Sequence, residues 1–420
     1  MTTPHTGDTI LRPDRIVTGG DGGREVLEHT EILVRGGLIA ELRPAGAADE
    51  RADGTAVRVI ALPGACVMPG FVDAHVHLGF DSTMASDGSG GVPDRQLLLR
   101  MAENARKLVS VGVTTVRELG ARGFLDVTLR DAIDTGIAVG PRIRAATRPI
   151  TQTGGHCWYM GGEADDEAGI RRVARENFRG GADGLKIMAT GGNLTNSVPL
   201  WKSQYSAREI RVAVEEAQAK GGFIAAHAHG VDGIRAGISA GVTSIEHCSF
   251  MGEQGLAGVA TPDPRVVDDI AEAGIMVCPT MSGGMWRLRA GLGPWLEGFL
   301  ARLAAFRRHG VRLAVGTDSG LQSGDHPMPV DAYVDGLRLL DAAGWSMPEI
   351  LTAATSGGAE ACGLSGKTGV VRVGSSADLV ALDGDPLAGL DAWEKVRMVM
   401  VGGRRVTQNG VDSVASSVGR

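Results

Sequence analysis

Short apolar runs recur through the middle of the chain and alternate with stretches of helical periodicity. The first run, Cys66 to Met68 and Phe71 to Val72, is interrupted by the bend-forming Pro69-Gly70 and ends at Asp73-Ala74-His75-Val76-His77. Seven more candidate strands follow: Val113–Leu119, Pro141–Ala146, Gly184–Ala189, Gly222–His227, Ser244–His247, Ile275–Pro279 and Leu313–Asp318. Between them the pattern predicts helices over Asp94–Val111, Phe124–Thr135, Glu163–Gly180, Ala207–Gly221, Val231–Ala240 and Pro264–Ala273. A longer connection, Trp286–His309, precedes the last strand, and Met347–Cys362 follows it. Strands alternating with helices imply a parallel sheet. Eight such units over about 300 residues predict an α/β fold of the (β/α)8 TIM-like barrel type, with an open doubly wound sheet as the alternative. The ends of the chain read differently. Thr9–Pro13, Ile32–Ile39, Ala56–Ile60, Ala377–Leu382 and Val396–Val406 are short strands separated by turn residues. They predict a small β-sandwich domain built from both termini, residues 1–67 and 366–420, around a barrel of residues 68–365.

Composition narrows the class. The 420 residues are 43% hydrophobic and 22% charged, as expected of a globular chain with one large and one small domain. A net charge of −7 argues against a nucleic-acid partner, which requires a basic face. No apolar run reaches the roughly 18 residues of a membrane span, and Met1 to Asp8 lacks the charged-then-apolar order of a secretory leader. The five cysteines are scattered, with no CxxC pair, and read as reduced thiols of a cytoplasmic protein. No GxGxxG follows a strand and no P-loop is present, so nucleotide binding has little support. The expected partner is a small-molecule substrate, and a homo-oligomer is the general expectation.

In barrels of this kind, function collects at the C-terminal ends of the strands. His75 and His77 are two residues apart on one strand, so both imidazoles face the same side and suit a cation such as Zn²⁺. Lys186 lies inside the apolar fourth strand, His227 and His229 end the fifth, His247 the sixth and Asp318 the eighth, while His156 sits in the loop after the third. Singly, each has a plainer reading: strand-closing histidines, a lysine snorkelling from a strand end, an aspartate capping a turn at Asp318-Ser319-Gly320. Six of the ten histidines at strand ends or in that one loop are more than scatter would place there. Arg117, at the end of the second strand, reads equally as an anion contact or as a structural ion pair. Trp201 and Tyr205 lie in the loop after the fourth strand, a candidate lid.

The combination of HxH, strand-four lysine, strand-five and strand-six histidines and strand-eight aspartate resembles the amidohydrolase superfamily. Thr153-Gly154-Gly155-His156, the run Lys186 to Gly192, Ala226 to Gly230, Ser244 to His247 and Gly316-Thr317-Asp318 are similar to its Xaa-Pro dipeptidase (prolidase) and Xaa-Arg dipeptidase branch. That branch also resembles ochratoxin-type amide hydrolases and some carbamate and phenylurea hydrolases. The resemblance implies two divalent metal ions, with zinc expected. His75, His77 and Asp318 would hold one and His227 and His247 the other, bridged by a carboxylated Lys186. It also implies Asp318 as the general base and acid, activating a metal-bridging hydroxide and then protonating the leaving nitrogen. HAH is symmetric, so His229 stands as the alternative ligand to His227. By the same resemblance His156 and His229 contact substrate. Trp158 and Tyr159, where smaller residues are expected, would narrow the pocket or stack on an aromatic group. The implied activity is hydrolysis of an amide-type C–N bond in a dipeptide or N-acyl amino acid. A carbamate or phenylurea hydrolase of xenobiotics is the alternative. A mononuclear deaminase or imidazolone-type hydrolase fits less well, because Gly230 stands where such relatives place a glutamate. A scaffold without activity would have lost ligands.

Overall fold

The computed structural model describes residues 7–47, 57–80, 92–195, 198–254, 262–320, 322–323, 326–407 and 410–411. Seven barrel strands form in chain order: Phe71–Val76, Val113–Glu118, Arg142–Ala145, Gly184–Met188, Phe223–Gly230, Ser244–Met251 and Met276–Cys278. The first three pair in parallel, as do the last four. Two sets of bonds join these groups into a closed barrel. Ile150 N donates to the Lys186 carbonyl (2.8 Å) and Met188 N to the Ile150 carbonyl (2.9 Å). On the other side the extended segment 312–318 enters as the eighth stave. Ala314 N donates to the Val277 carbonyl (2.9 Å), Ala74 N to Val315 (2.7 Å) and Asp318 N to His75 (2.8 Å). Gly316 permits that approach, since a Cβ there would lie 2.3 Å from Cys278 Sγ and 2.6 Å from His75 Cβ. All six residues of the first strand are buried, as a parallel strand covered on both faces requires. The expected barrel is the observed one.

The predicted helices form close to their expected places, at Asp94–Ser110, Leu125–Asp134, Glu167–Arg179, Ala207–Ala219, Val231–Ala240 and Pro264–Glu272. Ser206 and Glu209 close a reciprocal capping box at the fourth of these. The long seventh connection holds two helices, Gly283–Arg287 and Arg289–Arg308, the second kinked at Gly293-Pro294. A further helix, Tyr333–Ala342, was not expected. Its six buried positions dilute the polar face on which an amphipathic reading depends.

The terminal strands form one nine-stranded sheet. Strand Arg58–Pro69 is its seam, pairing in parallel with Thr9–Val17 and antiparallel with Leu379–Asp383. The sheet curls over its own core, which includes Ile16, Ile32, Val67 and Leu379. Ala377 ties its two ends: its N–H donates to Gly37 and its carbonyl accepts from Gly403. The seam strand runs to Pro69, and Phe71 already belongs to the barrel. The single residue between them, Gly70, has no space for a side chain, because a Cβ would fall 2.2 Å from Thr114 Cγ2. Among the described residues, no helix is long and apolar enough to cross a membrane.

Candidate metal centre

The strand ends at the mouth of the barrel leave regular β geometry where the polar residues begin. His247, Cys248, Phe250, Thr280 and Asp318 all have φ between 49° and 65°. L-residues avoid this region, and such strain persists where surrounding contacts over-determine it. At Asp318 those contacts are visible. Buried Asp73 accepts Thr317 N (3.0 Å) and Thr317 Oγ1 (2.7 Å), and also His75 N (3.2 Å). One carboxylate thus clamps the eighth stave to the first, and the Asp318 carboxylate turns toward the histidines. Asp318 Oδ1 lies 3.6 Å from His75 Nε2 and 3.6 Å from His77 Nε2.

Each imidazole is oriented through one ring nitrogen, which leaves the other as a ligating lone pair. His75 Nδ1 donates to Glu246 Oε2 (2.8 Å). Glu246 Oε1 in turn receives Arg117 Nη2 (2.8 Å) and Ser244 Oγ (2.6 Å). His77 Nδ1 faces the Gly120 carbonyl and Glu118 Oε1, both at 3.4 Å. His227 Nε2 donates to the Gly191 carbonyl (2.9 Å), so its lone pair is on Nδ1. His247 Nδ1 meets Thr280 Oγ1 (3.0 Å) and His229 Nδ1 meets Ser249 Oγ (3.0 Å). Burial holds His75, His227 and His247 well below the usual imidazole range and brings His229 down to about 3. All four are therefore neutral at pH 7, the form in which imidazole binds metal.

The donor atoms converge. Those of His75, His247 and Asp318 lie within 4.8 Å of one another, as do those of His227, His229 and His247. His247 belongs to both groups. Lys186 is 1% exposed, and its Nζ has no hydrogen-bond partner among the described residues. Burial lowers its pKa, as a desolvated ammonium requires. The same burial raises the Asp318 carboxyl, with the His77 and Lys186 charges opposing. The donor set fits divalent cations: neutral imidazoles, one carboxylate, and an orphaned amine that an anionic adduct would satisfy.

These side chains open on a cavity of about 430 Å³. His156 also lines it; its ring centroid is 4.6 Å from that of His227, and its Nδ1 bonds Thr195 Oγ1 (3.1 Å). Burial takes His156 to about 3. His229 stacks on His247 at 4.4 Å. Trp158 and Tyr159 are not brought to this cavity. Trp158 is 46% exposed, and Tyr159 faces a separate small pocket with Phe80 and Met160. The left-handed Cys157 (φ 57°) turns the chain outward directly after His156. Tyr205 is not on a lid: it is 2% exposed and donates to the Ala164 carbonyl (2.6 Å).

Arg117 resolves as structural. It is fully buried and bonds Glu246, Ser244 Oγ (2.9 Å) and the carbonyls of Ala74 (2.7 Å) and Ala361 (3.0 Å). Three residues with a part in the site went unread in the sequence. Glu118 closes its strand beside Arg117, and Glu246 sits between Ile245 and His247, so neither stands out from the polar strand ends around it. Arg302 falls seven residues after Trp295 and three after Phe299, on the apolar stripe of its helix. Replacing Glu246 by Ala strands the Arg117 guanidinium without its counter-charge. Stability should fall by roughly 3–5 kcal/mol. Urea unfolding of both proteins in chelator would measure this without a metal contribution; equal midpoints would show that the carbonyls suffice for Arg117.

A model described as the amidohydrolase family matches residues 66–406. Over 369 residues the chain is 28% identical to ochratoxinase of Aspergillus niger, covering 79% of this chain and 73% of that protein. It is 26% identical over 408 residues to imidazolonepropionase of Mesorhizobium japonicum, covering 90% and 92%. A Xaa-Pro dipeptidase, solved with methionine in its active site, superposes with a TM-score of 0.79 at 26% identity over 94% of this chain and 99% of that one.

Proposed function

The chain belongs to the amidohydrolase family, and from that premise we propose that it is a binuclear metal-dependent hydrolase of amide-type C–N bonds in dipeptides or N-acyl amino acids. The observation that carries this reading is the Lys186 Nζ, buried and without a partner among the described residues, in the midst of histidines that present lone pairs. A bare ammonium there is costly. A carbamate on that nitrogen would be an anion suited to bridging two cations. His75, His77 and Asp318 would hold one cation, and His227 and His247 the other. Bound divalent metals would supply a nucleophilic water at neutral pH and polarise the scissile carbonyl.

The protein's own groups do the rest. Asp318, whose carboxylate faces His75, His77 and His247, accepts the proton of the attacking water and delivers it to the leaving nitrogen. Glu246 and Glu118 hold the first two imidazoles in one tautomer. His156 and His229, neutral and lining the cavity, donate hydrogen bonds to the substrate. Ochratoxinase and a methionine-binding Xaa-Pro dipeptidase among the similar proteins favour an amide substrate. Gly230 and Lys186 speak against the imidazolone-type reaction, despite the likeness to imidazolonepropionase.

The test is a plate of L-Xaa-L-Pro and other dipeptides, N-acyl amino acids, aryl carbamates and phenylureas, read by amine release with zinc-loaded protein. Turnover of dipeptides or N-acyl amino acids is expected. Turnover of carbamates or ureas alone would move the site to neutral xenobiotics and overturn the proposal.

A further inference from the structure

The same cavity holds a second buried cation that the chemistry above does not use. Arg302 lies on helix Arg289–Arg308, is 7% exposed and lines the cavity beside His229 and Ser249. Its Nη1 donates to the Ser249 carbonyl (3.2 Å), and its guanidinium rests on the Phe299 ring (4.7 Å to the centroid). Among the described residues its Nε has no hydrogen-bond partner and no carboxylate lies within ion-pair distance. The other buried arginine among the described residues, Arg117, is paired with Glu246. A guanidinium left unpaired at the wall of a cavity is costly unless something that enters the cavity pairs with it.

Position and chemistry both point to the entering group. His229 bonds Ser249, and Ser249 bonds Arg302, while the His229 ring stacks on His247. Arg302 thus stands one residue beyond the histidines that would hold the second metal. It is planar, permanently charged and suited to bidentate pairing with a carboxylate. His156 and His229 are neutral and cannot supply that charge. After the Gly293-Pro294 kink, Trp295 and Phe299 stand on the same face of the helix as Arg302 and also line the cavity. An apolar wall therefore adjoins the cation.

We propose that Arg302 is the anchor for the α-carboxylate of the substrate's C-terminal amino acid, and that Trp295 and Phe299 select an apolar side chain on that residue. This rests on the amide-hydrolase reading and narrows it to dipeptides and N-acyl derivatives of amino acids such as leucine, methionine and phenylalanine. In the reaction the carboxylate-bearing residue is the leaving amine, so Arg302 touches the part of the substrate that departs with the proton from Asp318.

The test compares N-acetyl-L-leucine and L-alanyl-L-leucine with their C-terminal amides, in wild-type, Arg302→Met and Arg302→Lys proteins. Wild type should prefer the acids by about 100-fold in kcat/KM. Arg302→Met should abolish that preference, mainly through KM on the acids, which should lose far more than the amides. Arg302→Lys should restore part of it, keeping the charge but not the bidentate fork. Calorimetry with L-leucine provides a readout independent of turnover: binding to zinc-loaded wild type is expected, with none to Arg302→Met. Equal losses on acids and amides in both variants would assign Arg302 to holding the Ser249 carbonyl and overturn the proposal. Hydrolysis that ignores the terminal carboxylate in wild type would overturn it while the hydrolase reading stands. Arg302-dependent binding of L-leucine by a protein that cleaves none of these bonds would do the reverse.

Discussion

Lys186→Ala should lower kcat by about 1,000-fold or more and take the metal content from about two ions per chain to one or fewer. The size follows from what the residue would supply. Without an anionic bridge, two cations near shared ligands repel each other, and loss of one removes both the activation of water and half the polarisation of the carbonyl. Metal analysis after dialysis, with initial rates on the best substrate of the screen, measures both. Two further readouts tie the effect to a carbamate. Metal uptake by apoprotein should be slower in CO₂-depleted buffer and recover with bicarbonate. Short carboxylates such as acetate or propionate should rescue part of the activity of Lys186→Ala, because they refill the space with an anion. A metal-free comparison should go the other way. Replacing Lys186 by Met removes a buried amine with no partner among the described residues, so the apoprotein should gain stability, by about 1–3 kcal/mol. A Lys186→Ala protein that keeps two metals and full activity would end the carbamate proposal.

Much of this site is legible in the sequence because strand period and barrel topology constrain it. HxH at the end of an apolar run places two imidazoles on one side. Single polar residues at the ends of later strands must then face the same mouth, since all the strands are parallel. The eighth stave is less regular, yet Gly316-Thr317-Asp318 still marks it: glycine for the close approach to His75, threonine for the Asp73 clamp. What the sequence hides depends on tertiary contact. Glu246 and Glu118 read as ordinary strand carboxylates until the closed barrel brings a histidine of the first strand to each. Arg117 reads equally as an anion contact or an ion pair because its partner is 129 residues away in the chain. Trp158 and Tyr159 lie two and three residues after His156, but closeness in sequence says nothing of direction once the intervening Cys157 takes a left-handed turn. Arg302 lies in the long seventh connection, where a kink at Gly293-Pro294 obscures the register that aligns it with Phe299.

Asp318→Asn should lower kcat by about 100- to 10,000-fold, the range of a positioned general base, with KM changed much less. Asparagine keeps the shape and the backbone contacts that fix this residue: the N–H bond to His75 O and the neighbouring Thr317 clamp. It loses the basic oxygen facing His75 and His77, so metal binding should weaken while the fold stays intact. The loss has two parts that leaving-group chemistry can separate. If Asp318 both takes the water's proton and returns it to nitrogen, a substrate whose amine departs without protonation needs only the first role. Asp318→Asn should therefore be less impaired on N-acyl p-nitroanilides, or on the corresponding esters, than on alkyl amides. The deficit should shrink by about tenfold or more as the leaving-group pKa falls. A uniform deficit across leaving groups, at equal metal content, would confine Asp318 to the water side and require another proton donor. His229 and His156 would then be the candidates, since both line the cavity and both are neutral at pH 7.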